Sequence, residues 1–82
     1  MTRNADTEKL VNFVVTSLVD NPDDVKIETK DDGERIVFEI TTNPDDTGKV
    51  IGRQGRIIKA LRTLTRAAGS VDGTQVEVEV LG

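Results

Sequence analysis

The sequence predicts an α+β two-layer sandwich, three strands and three helices in the order α-β-β-α-α-β, with the helices on one face of the sheet. Three observations carry that expectation. Apolar residues recur at three- and four-residue spacing in the segments 10–18 and 57–68, as in amphipathic helices. They alternate with polar residues around Ile27, Phe38 and Val78, as in half-buried strands. Proline and glycine separate these segments, with no linker, internal repeat or low-complexity tract between them.

Each element has a local reason. Asp6 can cap a first helix over about 6–19, with Leu10, Val11, Val14, Val15 and Leu18 as its stripe and Phe13 and Val19 widening it. Asn21-Pro22 ends it. Val25, Ile27 and Thr29 form one alternating run, 25–30, and Ile36, Phe38 and Ile40 another, 35–42; Asp32-Gly33 between them marks a β-hairpin. Asn43 is a good cap and Pro44 a good first residue for a short helix, 44–51, with Asp45 and Asp46 where the helix dipole favours acids. Gly52 stops it. After Gly55 a longer helix, 56–68, presents Ile57, Ile58, Leu61, Leu64 and Ala68 on one side and Lys59, Arg62 and Arg66 on another, with Arg56 near their edge and Gly69 as a natural terminator. Val76, Val78 and Val80 make a last strand, 74–81, whose outer face is acidic.

Composition removes most other classes. With 82 residues the chain is one domain with a single core, since a domain of that size buries only about 60–65% of its unfolded surface. Neither cysteine nor histidine occurs, which rules out disulfides, thiolate chemistry, an imidazole base and the common zinc sites. The sequence predicts no metal, no cofactor, no small-molecule substrate and no enzyme. It predicts neither a signal peptide nor a membrane span, hence a cytoplasmic protein. The pairs Asp23-Asp24, Asp31-Asp32 and Asp45-Asp46 fall at turns or helix starts, where aspartate has local work. Gly48-Lys49 is followed by Val50, where a P-loop needs Ser or Thr. The only aromatics, Phe13 and Phe38, sit on phases expected to face the core, which argues against folds that stack bases on exposed rings.

Charge is segregated. Residues 48–71 hold six basic and no acidic side chains, while the rest hold five basic and fifteen acidic, so a net charge of -4 divides into +6 and -10. Such a division suits an anionic partner. Within the basic stretch, Gly52-Arg53-Gln54-Gly55 forms a turn that delivers a helix N-terminus to the surface. Free amides and the positive dipole end gather there, suiting a phosphate oxygen, and Arg53 and Gln54 can reach phosphate or sugar. Lys49 and Arg56 flank the turn, and Lys59, Arg62 and Arg66 extend the potential along the helix.

Val50-Ile51-Gly52-Arg53-Gln54-Gly55-Arg56-Ile57-Ile58 with Leu61 resembles the signature of the KH domain, whose GXXG loop clamps the backbone of single-stranded nucleic acid. The element order is similar to the bacterial type II KH fold, with its three-stranded mixed sheet. "LVDNPDDV" and "DDTGKVIGRQGRIIKALRTL" extend the resemblance to the small stand-alone bacterial KH proteins of the KhpA family. The resemblance implies RNA binding with little sequence preference, as an RNA chaperone or post-transcriptional regulator. Gly52, Arg53, Gln54 and Gly55 would clamp phosphates, and Val50, Ile51, Ile58 and the Ile40 region would border an aliphatic groove for bases. It also implies a homodimer, or a heterodimer with a larger KhpB/Jag-type KH protein. One departure is that Asp72, Glu77 and Glu79 stand near the last strand, where such proteins often carry lysine; weak binding is the consequence. A module that mainly docks on protein, and one that binds single-stranded DNA, remain alternatives at this stage.

Overall fold

The computed structural model describes residues 3–70 and 75–81; Asp72 and the expected start of the last strand at residue 74 lie outside them. The elements are α1 (Arg3–Leu18), β1 (Lys26–Asp31), β2 (Arg35–Thr41), α2 (Thr47–Ile51), α3 (Arg56–Ser70) and β3 (Gln75–Val80), with single 3-10 turns at Pro22–Asp24, Pro44–Asp46 and Arg53–Gly55. β2 is the central strand, antiparallel to β1 with Ile27 opposite Ile40, and parallel to β3 with Phe38 opposite Val78. A parallel neighbour needs a crossover, and α2 with α3 provides it. The sheet is therefore mixed, and the α-β-β-α-α-β order is the one that the sequence predicts.

The periodicities meet in one core. Ile36, Phe38 and Ile40 of β2 and Val76 and Val78 of β3 are buried with Val11 and Val15 of α1, Val50 of α2, and Ile58 and Leu61 of α3. Apart from Val37, the other face of the sheet is polar. There Glu28, Glu39 and Glu79 stand abreast across all three strands. Like charges set opposite one another are unfavourable, a cost that water keeps small on an open face. Asp31 and Asp32 have the local duty expected of them: Asp31 Oδ1 accepts the Gly33 amide at 2.8 Å, and Asp32 Oδ1 accepts those of Glu34 and Arg35 at 3.0 and 2.9 Å.

Several expectations change. α1 begins at Arg3, so Asp6 lies in its first turn and does not cap it. Phe13 is 70% exposed, whereas Phe38 is fully buried. The reason is phase: Val11 and Val15 define the core side of α1, and Phe13, two residues from each, lies roughly opposite them at about 3.6 residues per turn. Val25 precedes β1, its amide closing the 3-10 turn on the Pro22 carbonyl. The segment 44–51 is a 3-10 turn followed by only five α-helical residues. Asn43 does cap it, its Oδ1 accepting the Asp45 amide at 2.9 Å. Gly69 does not terminate α3 but is buried within its last turn.

Candidate nucleic-acid interface

The turn joining α2 to α3 is built from residues in the left-handed region: Gly52 at φ +79°, Gln54 at +58° and Gly55 at +73°. For Gln54 such a conformation costs of order 1–3 kcal/mol, so the surrounding turn must enforce it. Gly52 is required twice over. Besides its φ, an added Cβ would lie 2.6 Å from Cγ1 of Ile57. At Gly55 the same Cβ would meet only Cγ2 of Ile58, at 3.8 Å, so conformation alone favours glycine there. The Gly52 amide donates to the Gly48 carbonyl at 2.8 Å, the Gly55 amide to Gly52 at 3.1 Å and the Arg56 amide to Arg53. Arg53 and Gln54 stand just ahead of α3, with the positive end of its helix dipole behind them.

The basic residues divide into two groups. Arg53, Arg56 and Lys59 are exposed, as is Gln54, and none of these side chains makes a hydrogen bond or ion pair among the described residues. The other three basic side chains are engaged. Lys49 Nζ bonds the carboxylates of Asp20 and Asp46, which hold its ammonium above its ordinary pKa. The half-buried Arg62 donates its Nε to the Val78 carbonyl at 3.2 Å, and Arg66 pairs with Glu77 at 3.3 Å. Two members of the expected basic stripe thus turn onto β3, leaving Lys59 in line with the loop.

The aliphatic residues also separate. Ile51, 37% exposed, and the half-buried Ile57 offer apolar surface beside the loop; Val50 is fully buried and Ile58 nearly so. The expectation that Ile40 borders the groove is corrected. It sits in the central strand, with a strand on either side and the helices over its face, and has no accessible surface to offer a base.

A second constellation was not anticipated from the sequence. The tetrapeptide Asn-Pro-Asp-Asp occurs twice, at 21–24 and 43–46, and each copy forms a 3-10 turn with proline first. The two turns bond reciprocally. Asn21 Nδ2 donates to Asp46 Oδ2 at 3.0 Å, and Asn43 Nδ2 donates to Asp24 Oδ2 at 2.9 Å. Asp46, with no exposed surface, also accepts the amides of Asp20 and Asn21 at 3.3 and 2.9 Å and Lys49 Nζ at 3.2 Å. Burial pushes its carboxyl up, but the Asn21 side chain and the amides, with Lys49, outweigh that and hold it below the usual carboxylate range. The signal for this pair was the repeated tetrapeptide, shorter than any structural repeat.

Among the described residues, no group of three or more acidic side chains is placed to hold a metal ion, and no helix is long and apolar enough to cross a membrane.

A mixed α-β-β-α-α-β sandwich with a Gly-x-x-Gly turn between its second and third helices defines a type II KH domain. The family model for the KH domain of KhpA/KhpB matches residues 8–80, and the chain belongs to that family. It is 43% identical over 72 residues to the RNA-binding protein KhpA of Halalkalibacterium halodurans, covering 88% of this chain and 95% of the relative. To the RNA-binding protein KhpA of Clostridium perfringens it is 43% identical over 74 residues, 90% and 99% of the two chains. The same-named protein of Bacillus subtilis is 41% identical over 73 residues, 89% and 90%. No solved structure matches the chain significantly.

Proposed function

We propose that the chain is a non-enzymatic single-stranded RNA-binding protein. In this reading Gly52, Arg53, Gln54 and Gly55 hold the sugar-phosphate backbone, while Ile51 and Ile57, with Ile58 beneath, accept a few bases with little selectivity. The observation that carries it is the contrast within the basic segment: only the side chains around the Gly-x-x-Gly turn, Arg53, Arg56 and Lys59, are left unengaged among the described residues, at the positive end of the α3 dipole. Lys49 and Arg62 act from behind, through the contacts they already make. The relatives named as RNA-binding proteins support the same reading. Its setting is the bacterial cytoplasm, as an RNA chaperone or post-transcriptional regulator.

Fluorescence anisotropy of a short labelled single-stranded RNA tests it, with the wild type and the Arg53→Asp, Gln54→Asp double variant compared after circular dichroism has established that both fold. The wild type should bind and the variant lose at least about tenfold in affinity, or ~1.4 kcal/mol. Few phosphates are neutralised, so log K should fall by only about 0.7 per phosphate contact with log salt. Equal binding by both proteins sinks the reading. A labelled single-stranded DNA of the same sequence, binding as tightly, would move the assignment to single strands in general.

A second reading has its own observation. Phe13 on α1 and Leu64 on α3 are 70% and 51% exposed, with Leu10 of α1 at 38%. Exposed apolar side chains on two helices suit a protein contact, either a second copy or a larger KhpB/Jag-type KH protein. Light scattering across a dilution series decides whether the chain self-associates.

A further inference from the structure

We infer that the two interlocked Asn-Pro-Asp-Asp turns form a latch that positions the Gly-x-x-Gly loop, with Asp46, Asn21, Asn43 and Asp24 as positioning residues for the RNA contact. The inference rests on the clamp reading of that loop and adds what holds the clamp in place. α2 is the link. It has only five residues, far too few for a helix to be stable by its own propensity, so both its ends take their positions from tertiary contacts. Its last residue, Ile51, leads directly into Gly52. Its first, Thr47, directly follows Asp46.

The N-terminal end is tied down across the chain. Asp46 grips the backbone and side chain of Asn21, some 25 residues earlier, and reaches Lys49 one turn further along α2. Lys49 in turn bonds Asp20, so a closed circuit joins the end of α1 to the body of α2. The Asn43–Asp24 bond repeats the link on the exposed side. No buried side-chain polar atom lacks a partner among the described residues, so loosening Asn21 or Lys49 leaves the buried Asp46 carboxylate short of one. At about 1.5 Å rise per residue, α2 carries the latch to within roughly 8 Å of the loop. A shift of the latch therefore moves Gly52 and the left-handed turn after it.

A purely stabilising role is the rival, and loop-specific readouts separate the two. Asp46→Asn, Asn21→Ala and Asn43→Ala are compared with Val15→Ala, a core truncation on α1 away from the latch and the loop. Affinity for a short labelled single-stranded RNA of mixed sequence is measured where circular dichroism shows each protein folded, with amide hydrogen exchange at the bonded loop amides of Gly52, Gly55 and Arg56. The latch variants should bind about tenfold more weakly, as when only one molecule in ten holds a competent loop, and exchange faster at the loop. Val15→Ala should lower the melting temperature and leave affinity unchanged. Folded latch variants with wild-type affinity and loop exchange overturn the inference. If Asp46→Asn does not fold, the more exposed Asn43→Ala and Asp24→Ala carry the same test. Failure of the wild type itself to bind RNA would instead sink the clamp reading, and loop exchange would still decide whether the latch positions the turn.

Discussion

The two ends of α2 are opposites. At its N-terminal end a buried carboxylate has spent every lone pair it can, on two backbone amides, an asparagine and a lysine. At its C-terminal end, a few residues away, the backbone bends through left-handed conformations, and Arg53, Gln54 and Arg56 point into water with nothing bound. Polar groups that satisfy one another rigidify a site, whereas unsatisfied groups held in a fixed arrangement are available to a ligand. The difference teaches that basic residues cannot be assigned to a ligand by counting charge. Lys49 belongs to the saturated end although it lies only three residues before the loop.

The largest effect expected from attacking this contrast is at Gly52. Gly52→Ala must relieve both an unfavourable φ and a close approach to Ile57, at about 1–3 kcal/mol, and it should disturb RNA binding as well. Gly55→Ala, whose Cβ would meet only Ile58 at an ordinary contact distance, should cost less. Urea unfolding of the two variants ranks them, and an equal or reversed ranking removes the steric argument.

Acid titration probes the saturated end. The Asp46 carboxyl is lowered relative to its unfolded value near pH 3.9, so its contribution is present above that pH and lost as pH falls through the lowered folded value. Asp32, lowered by the Arg35 and Glu34 amides, acts in the same window and in the same direction. Stability should therefore decline below about pH 4, and Asp46→Asn should make that decline shallower without abolishing it. Lys49, raised, has the opposite sign. Its contribution is present below about pH 10.4 and lost as pH rises through its folded value, so Lys49→Met should flatten the alkaline side.

Smaller still is the contrast between two lysines. Lys59→Met should reduce the salt slope of RNA binding by about 0.7, whereas Lys49→Met should leave the slope as it is. A change of slope with Lys49→Met would show that its ammonium leaves the carboxylates for phosphate. Least of all, Phe13→Ser should alter stability by no more than about 0.5 kcal/mol, because the ring is largely in water. If that substitution lowers the apparent mass in light scattering, the exposed ring of Phe13 belongs to a protein contact.

Sequence periodicity carried the topology, because alternation and helical spacing report local geometry directly. It served less well where a side chain's fate depends on distant partners. Ile40 and Ile36 share a strand face, and alternation identifies that face without saying that the strand is central and wholly covered. Phe13 shows how two residues' difference in helical phase turns a core residue into a surface one. The Gly-x-x-Gly turn was legible because glycine at both ends has a conformational cause. Engagement of Lys49, Arg62 and Arg66 was not, since their partners lie 3 to 29 residues away and charge counts are blind to them. The latch left only a faint trace, a four-residue phrase written twice, whose reciprocal bonding depends on how the sheet brings the two turns together.

The most direct measurement is an NMR titration of the 15N-labelled protein with a short single-stranded RNA. The account predicts that amide shifts concentrate at Arg53, Gln54, Gly55 and Arg56 and at Ile51 and Lys59, sparing the acidic sheet face around Glu28, Glu39 and Glu79. Shifts centred on that face, or on Phe13 and Leu64 with the loop unmoved, would contradict it.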